Sequence, residues 1–305
     1  MQTGQDGVVR FFPINPDEDY YRERTDRNIG WITRNEQEIL RHSTIGIAGC
    51  GGMGGLLASI FVRLGVGEVR IADSETFDVS NINRQFAAKR GTVGKSKAIE
   101  TARDVRAISD DSTLIAYPQG INETIVDEFL AGCDVVCDEI ELLALDARIL
   151  LHQHARTAGV PIINCNTVGF STYLFLYTPD GMKVEELLGI TYEEAKKLRG
   201  EALSGNREAH SRIANNIMRA VIPEVPPYSP EIVHAAKRRV LEEGKAPIIA
   251  PNPIMAGGFL ADRVLLYLLR NSGVERNIVH MPPMPGYLYF DAAFVQAKVV
   301  TDWRP

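Results

Sequence analysis

The stretch STIGIAGCGGMGG, residues 43–55, decides the reading of the whole chain. Thr44, Ile45, Ile47 and Ala48 are small, apolar or β-branched and predict a buried strand. Gly49, Gly51, Gly52, Gly54 and Gly55 then force a tight turn before the apolar run Leu56 to Leu64, which predicts a helix. In such a strand–loop–helix unit, backbone N–H groups come close to a phosphate and the helix start presents its positive end, so an anion is favoured there. The unit is one for a nucleotide.

The spacing Gly49-x-Gly51-x-x-Gly54 fits the dinucleotide fingerprint, and Asp73, after a second predicted strand over 68–72, stands where a ribose-binding acid belongs. By itself this pattern fits NAD, FAD or another nucleotide, or glycines that serve packing alone. The continuation FDVSNINRQFAAKRGTVGKSK, residues 77–97, narrows the choice. A nicotinamide slot is neutral and apolar, whereas an amide (Asn81), an arginine (Arg84) and a lysine are the donors a triphosphate calls for. ATP is the expected nucleotide.

GCGGMG, Asp73, NINRQ and VGKSK together resemble the adenylating domain of the ThiF/MoeB/HesA family, relatives of ubiquitin-activating enzymes, over Arg24 to about Pro179. The resemblance implies that Asp73 accepts from the ribose hydroxyls, that Asn81, Arg84 and Lys97 donate to phosphate oxygens, and that Gln85 holds the loop or the nucleotide. Of Lys95 and Lys97, the family spacing of thirteen residues from Arg84 selects Lys97. For Arg84 the competing reading is a structural ion pair with Glu75 or Asp78. RTDRNI, residues 24–29, resembles a family segment whose second arginine reaches across a dimer interface to the phosphates of the other subunit. By position that role falls to Arg27, and it implies a homodimer; the alternative is a solvated charge cluster.

The predicted strand 134–138 ends in CDEIEL, and strand carboxyl ends face the ligand crevice of an open α/β sheet. Asp138 and Glu141 are therefore expected where Mg2+ bridges the ATP phosphates. The family pattern is Asp-x-x-Asp-Asn, with the second acid on the metal. Here Glu141 takes that place, Leu142 replaces the amide, and about two extra residues precede Ala147-Arg148. Either Glu141 binds the metal from a shifted backbone, or Asp138 does, or catalysis is impaired. Asp146 is a further candidate, expected in solvent on a helix. His152 and His154, two residues apart on that helix, face different sides and read as ordinary helix histidines. In family members Thr167 to Gly169 lie beside the α-phosphate.

The 305 residues are enough for a packed α/β domain with a large insertion, or for two domains. A net charge of −6 argues against a mainly electrostatic nucleic-acid binder, although tRNA stays among the candidate acceptors. No run of some twenty apolar residues occurs, and MQTGQDGVVR is neither a signal nor a transit peptide, so a cytoplasmic protein without membrane contact is expected. The four cysteines form no disulfide framework and no Cys-x-x-Cys pair, so no structural zinc is expected. No cysteine follows Cys165, which argues against an enzyme thioester in the region where thioester-forming relatives carry one.

Strand and helix patterns alternate through residue 164, which predicts a Rossmann-like, doubly wound, mainly parallel α/β sheet with an antiparallel C-terminal part and a helical insertion. The expected division is an N-terminal arm (1–35), an adenylation core (36–180), a helical substrate-recognition insertion (181–251), and a helix with strands completing the core (252–305). Between Lys183 and Lys245 eleven basic side chains meet ten acidic ones, the balance of solvated amphipathic helices, and Pro223, Pro226, Pro227 and Pro230 divide them into two pieces. The expected activity is ATP- and Mg2+-dependent adenylation of a carboxylate: the C-terminus of a sulfur-carrier protein, a ribosomal peptide or a small molecule. The acyl adenylate passes directly to a nucleophile. The alternatives are a non-catalytic scaffold subunit of a heteromeric complex and an NAD-dependent oxidoreductase.

Overall fold

The computed structural model describes residues 1–4, 6–14 and 17–303. In chain order its elements are β1 (Gln2–Thr3), β2 (Val9–Phe11), α1 (Glu18–Thr25), α2 (Arg34–His42), β3 (Thr44–Ala48), α3 (Gly54–Leu64), β4 (Glu68–Ala72), α4 (Lys97–Arg106), β5 (Thr113–Tyr117), α5 (Val126–Leu130), β6 (Val135–Asp138), α6 (Leu145–Ala158), β7 (Ile162–Val168), β8 (Ser171–Tyr177), α7 (Val184–Leu188), α8 (Tyr192–Leu203), α9 (Arg207–Val221), α10 (Pro230–Glu243), α11 (Pro251–Leu268), β9 (Tyr287–Asp291) and β10 (Gln296–Val300). Among the described residues the strands form one sheet in the order β1-β2-β5-β4-β3-β6-β7-β8-β9-β10. The central five run parallel. Antiparallel pairing extends the sheet through β8, β9 and β10 on one side and through β2 and β1 on the other. The polar arm thus packs on the core, adding β2 to β5.

Alternation along each strand divides the core between two faces. Ile45, Ile47, Cys137, Leu174 and Leu176 join α3, α4 and α11 on one face. Ala48, Val136, Tyr173, Phe175 and Tyr177 join α5, α6 and the helices α7 to α9 on the other. With both faces covered, β3 is buried from Ile45 onward, as its apolar sequence requires. The proline segment divides the helical region after residue 181, separating α9 from α10. Three helices precede it, of which α8 and α9 bury Ala195, Leu198, Ile213 and Ile217, and α10 follows it with no buried residue.

Strand order reverses at β3: β4 lies on one side of it and β6 on the other. The register pairs Ala48 with both Ala72 and Asp138, so the chain leaves three neighbouring strands at one height. Ligands of open α/β sheets bind in the crevice above such a point.

Outside the crevice, Glu36 fixes α2 to the segment after α11. Its fully buried carboxylate accepts two hydrogen bonds from Arg276 (2.7 and 2.8 Å), one from Ser272 Oγ (2.6 Å) and one from Thr33 N–H (2.8 Å). The Arg276 hydrogen bonds, ahead of those from Ser272 and Thr33, outweigh burial and pull its pKa from 4.5 to about 2. A folded pKa below the unfolded one contributes stability that is present above the unfolded value and lost as pH falls toward the folded one. Glu36→Gln is therefore expected to cost about 3 kcal/mol at pH 7 and progressively less between pH 4.5 and about 2. Urea unfolding across that range measures this; a penalty that does not shrink with acid would refute it.

Candidate nucleotide cleft

Gly49 leaves β3 with φ +103°, a left-handed conformation that disfavours a side chain, and a Cβ there would collide with the Glu139 carbonyl oxygen. A Cβ at Gly54 would meet the Gly49 carbonyl, and one at Gly52 would come within 2.9 Å of Pro253 Cγ in α11. Over Gly51, by contrast, nothing lies within 4 Å of where a Cβ would stand. That is the side on which a ligand has room to approach. No side chain caps the start of α3, so its first N–H groups remain available to an anion.

Asp73 is tied into this loop. Its Oδ2 accepts from Cys50 N–H (2.6 Å) and its Oδ1 from Glu75 N–H (2.8 Å). Burial pushes the Asp73 pKa up, opposed by the Cys50 hydrogen bond and the Lys97 charge. Glu75 continues the chain of contacts. Its carbonyl accepts from Lys97 N–H (2.9 Å) and its carboxylate pairs with Lys97 Nζ (2.6 Å). The Lys97 side chain is 6% exposed and that of Glu75 52%. Lys95, by contrast, is exposed.

A cleft of about 600 Å³ opens beside the loop. Gly49, Asp73, Glu75 and Glu141 line it from the strand ends, Gln119 to Thr124 from the turn after β5, Asp146 and Leu150 from α6, and Tyr192, Lys196 and Arg199 from α8. Asp146 is not in open solvent, as expected from the sequence, but pairs with Arg199 across the cleft wall (2.9 Å). Lys196 Nζ and Tyr192 OH both donate to Glu123 Oε1 at 2.7 Å. Helix α8 therefore forms part of the wall, a role its balanced charge does not reveal. Glu141 makes no ion pair among the described residues, and one of its oxygens accepts from Leu143 N–H (2.8 Å). Desolvation by the surrounding protein pushes its pKa up.

Asp138 corrects a sequence expectation: it does not arrive at the crevice. Its side chain turns onto the α6 face, 1% exposed, where Oδ2 meets Arg148 Nε (2.9 Å) and His152 Nε2 (3.0 Å). Burial alone would raise its pKa; Arg148 and the His152 hydrogen bond more than offset that and hold it below the usual carboxylate value. His152 is the buried partner of this acid, while His154 pairs with Asp127 at the surface. Among the described residues no group of three or more His, Cys, Asp or Glu is placed to hold a metal. One or two carboxylates suit Mg2+, which keeps waters and takes its remaining ligands from substrate phosphates. Glu141, unpaired and on the cleft, fits that requirement.

The remaining candidates stand around the loop rather than on the cleft wall. Arg84 forms no ion pair with Glu75 or Asp78; its Nη1 donates to Ser80 O (3.1 Å) and Asn83 Oδ1 (2.8 Å), and its buried Nε has no partner. Asn81 Oδ1 accepts from Asp78 N–H (2.9 Å), and buried Gln85 leaves its Oε1 unpaired. Arg27 is exposed and lines a separate surface groove with Tyr21 and Gln37, away from the cleft of its own chain. Glu75, weighed from the sequence only as a partner for Arg84, holds Lys97 instead, and the sequence did not single out Asn252, a buried amide with an unpaired oxygen beside the proline that closes on Gly52. Glu75 stands two residues after Asp73, between the two stretches that carry the motifs.

A glycine loop and an acid on adjacent parallel strand ends, at the point where strand order reverses, place the protein in the Rossmann-like α/β class. Within that class the chain belongs to the ThiF family, whose model matches residues 25–299. It is 29% identical over 135 residues to the adenylyltransferase and sulfurtransferase MOCS3 of Mus musculus, which covers 44% of this chain and 29% of that protein. It is also 29% identical over 145 residues to the SAMP-activating enzyme E1 of Haloferax volcanii, covering 48% of this chain and 53% of the relative. The chain thus spans only about half, or less, of the length of these relatives. In fold it matches a crystal structure of E. coli MccB with ATP at a TM-score of 0.61 and 16% identity, over 96% of this chain and 75% of that one. Among the described residues no helix is long and apolar enough to cross a membrane.

Proposed function

We propose that the protein adenylates a carboxylate with ATP and Mg2+. The observation that carries this reading is the continuous link from Cys50 N–H through Asp73 and Glu75 to Lys97 Nζ. It joins the glycine loop, a ribose-type acid that lines the cleft, and a buried cation held by Glu75 on the cleft wall. The carboxylate oxygen attacks the α-phosphorus of ATP, forming an acyl–phosphate anhydride while the bond to the β-phosphate oxygen breaks and pyrophosphate leaves. Lys97 and Arg84 neutralise charge that builds on the phosphates, the loop N–H groups and Asn81 donate to their oxygens, Asp73 accepts from the ribose, and Gln85 steadies the loop. Mg2+, when bound at Glu141, supplies Lewis-acid neutralisation of phosphate oxygens.

Membership of the ThiF family and the names of its relatives, an adenylyltransferase and an activating enzyme, support this reading. We assign the carboxylate to a carrier-protein or peptide C-terminus, or to a small molecule. The lack of cysteine after Cys165 favours direct transfer of the acyl adenylate to a nucleophile, without an enzyme thioester. In this reading residues 181–251 recognise the substrate, and a second copy of the chain supplies Arg27 in a homodimer. Four cysteines, all free, suit a reducing cytoplasmic setting. Exchange of labelled pyrophosphate into ATP with candidate carboxylates tests the proposal. No exchange with any carboxylate or partner would leave a scaffold, and tight NADH binding without ATP binding would replace the reading altogether.

A further inference from the structure

We infer that Glu75 makes nucleotide binding depend on the divalent cation, by holding Lys97 until that cation arrives. The inference rests on the adenylation reading and goes beyond it, because it concerns the order of electrostatic events in the cleft. Lys97 is a buried cation that Glu75, on the cleft wall, engages twice, once through its carboxylate and once through its carbonyl. Among the described residues, the two cations that line the cleft are committed as well: Lys196 to Glu123 and Arg199 to Asp146. Arg84 is turned toward Ser80 and Asn83. Among the described residues an incoming triphosphate therefore meets no free cation on the wall, but does meet the carboxylates of Asp73, Glu75 and Glu141.

For a phosphate oxygen to take Lys97 Nζ, the Glu75 carboxylate must release it. Released, Glu75 is an uncompensated anion beside a triphosphate, in a cleft where Glu141 already feels its charge. Like charges at this range cost most where protein replaces water. A divalent cation brought in with the nucleotide removes the cost, because a hard cation accepts carboxylate and phosphate oxygens together. Glu75 is half exposed and so has room to turn. Its main-chain contacts to Asp73 and Lys97 do not depend on the side chain, so the local backbone survives substitution. Glu75 is thus a positioning residue. It parks the phosphate-binding lysine and penalises metal-free nucleotide.

Calorimetric titration of the full chain with ATP, in EDTA and in excess Mg2+, tests this on the wild type and on Glu75→Gln and Glu75→Asp. The wild type is expected to bind ATP at least about tenfold more weakly in EDTA. Glu75→Gln should bind metal-free ATP about tenfold more tightly than the wild type, so that the ratio between the two conditions falls toward one. Glu75→Asp, which keeps the charge, should retain most of the ratio. An unchanged ratio in Glu75→Gln, or metal-free affinity that drops, overturns the role of Glu75 while leaving the adenylation reading in place. A wild-type protein that binds no ATP in either condition overturns both.

Discussion

Lys97→Ala is expected to lower pyrophosphate exchange by about 10²–10³-fold while the protein stays folded. The large effect follows from position. Lys97 opens α4 with its side chain 6% exposed, and its ammonium is the buried cation joined to the ribose-type acid through Glu75. A phosphate that develops charge as pyrophosphate leaves would have no replacement for it, since Lys95 is in solvent. Removal should be tolerated structurally because the abandoned partner, Glu75, is 52% exposed and can be hydrated. Combining Lys97→Ala with Arg84→Ala should abolish measurable ATP binding. Exchange rates, ATP titration and thermal melting on the same samples measure these outcomes. A double variant that holds ATP as firmly as the parent would remove the basis for a triphosphate site.

Arg27→Ala is expected to reduce exchange by about 10²-fold or more with ATP affinity largely kept. Arg27 is exposed, has no ion pair or hydrogen bond among the described residues, and lies in a groove separate from its own cleft. In the proposed homodimer its guanidinium meets the phosphates held by the other copy, where its planar donors suit phosphate oxygens. Complementation makes the prediction specific. Arg27→Ala and Lys97→Ala chains, each inactive alone, should on mixing and subunit exchange regain about a quarter of the wild-type rate, because half the dimers are mixed and each carries one intact site. A mixture as inactive as its components would place Arg27 outside the reaction, as would an Arg27→Ala variant of full activity.

Much of the fold was legible because its signals are local. Helix Gly54–Leu64 and strand Glu68–Ala72 lie where the apolar runs and glycines put them. The arm was not legible: Val9 to Phe11 is too short to declare a strand, and only its pairing with β5 makes it one. Asp138 shows another limit. Sequence places an acid at the end of β6, but that acid turned from the crevice because strand parity carries it to the α6 face, where Arg148 and His152 receive it. Glu141, three residues on and clear of the strand, reaches the cleft.

By itself the sequence determined the strand, glycine loop and helix, the acid at Asp73, the order of basic residues that follows, and with these the family. These depend on backbone sterics and short-range spacing, which a linear chain specifies directly. The tertiary structure alone decided which charges meet. Lys97 pairs with Glu75, Asp146 with Arg199 and Asp138 with Arg148 because folding brings separate elements to one crevice or one helix face, and desolvation there makes unpaired charge costly.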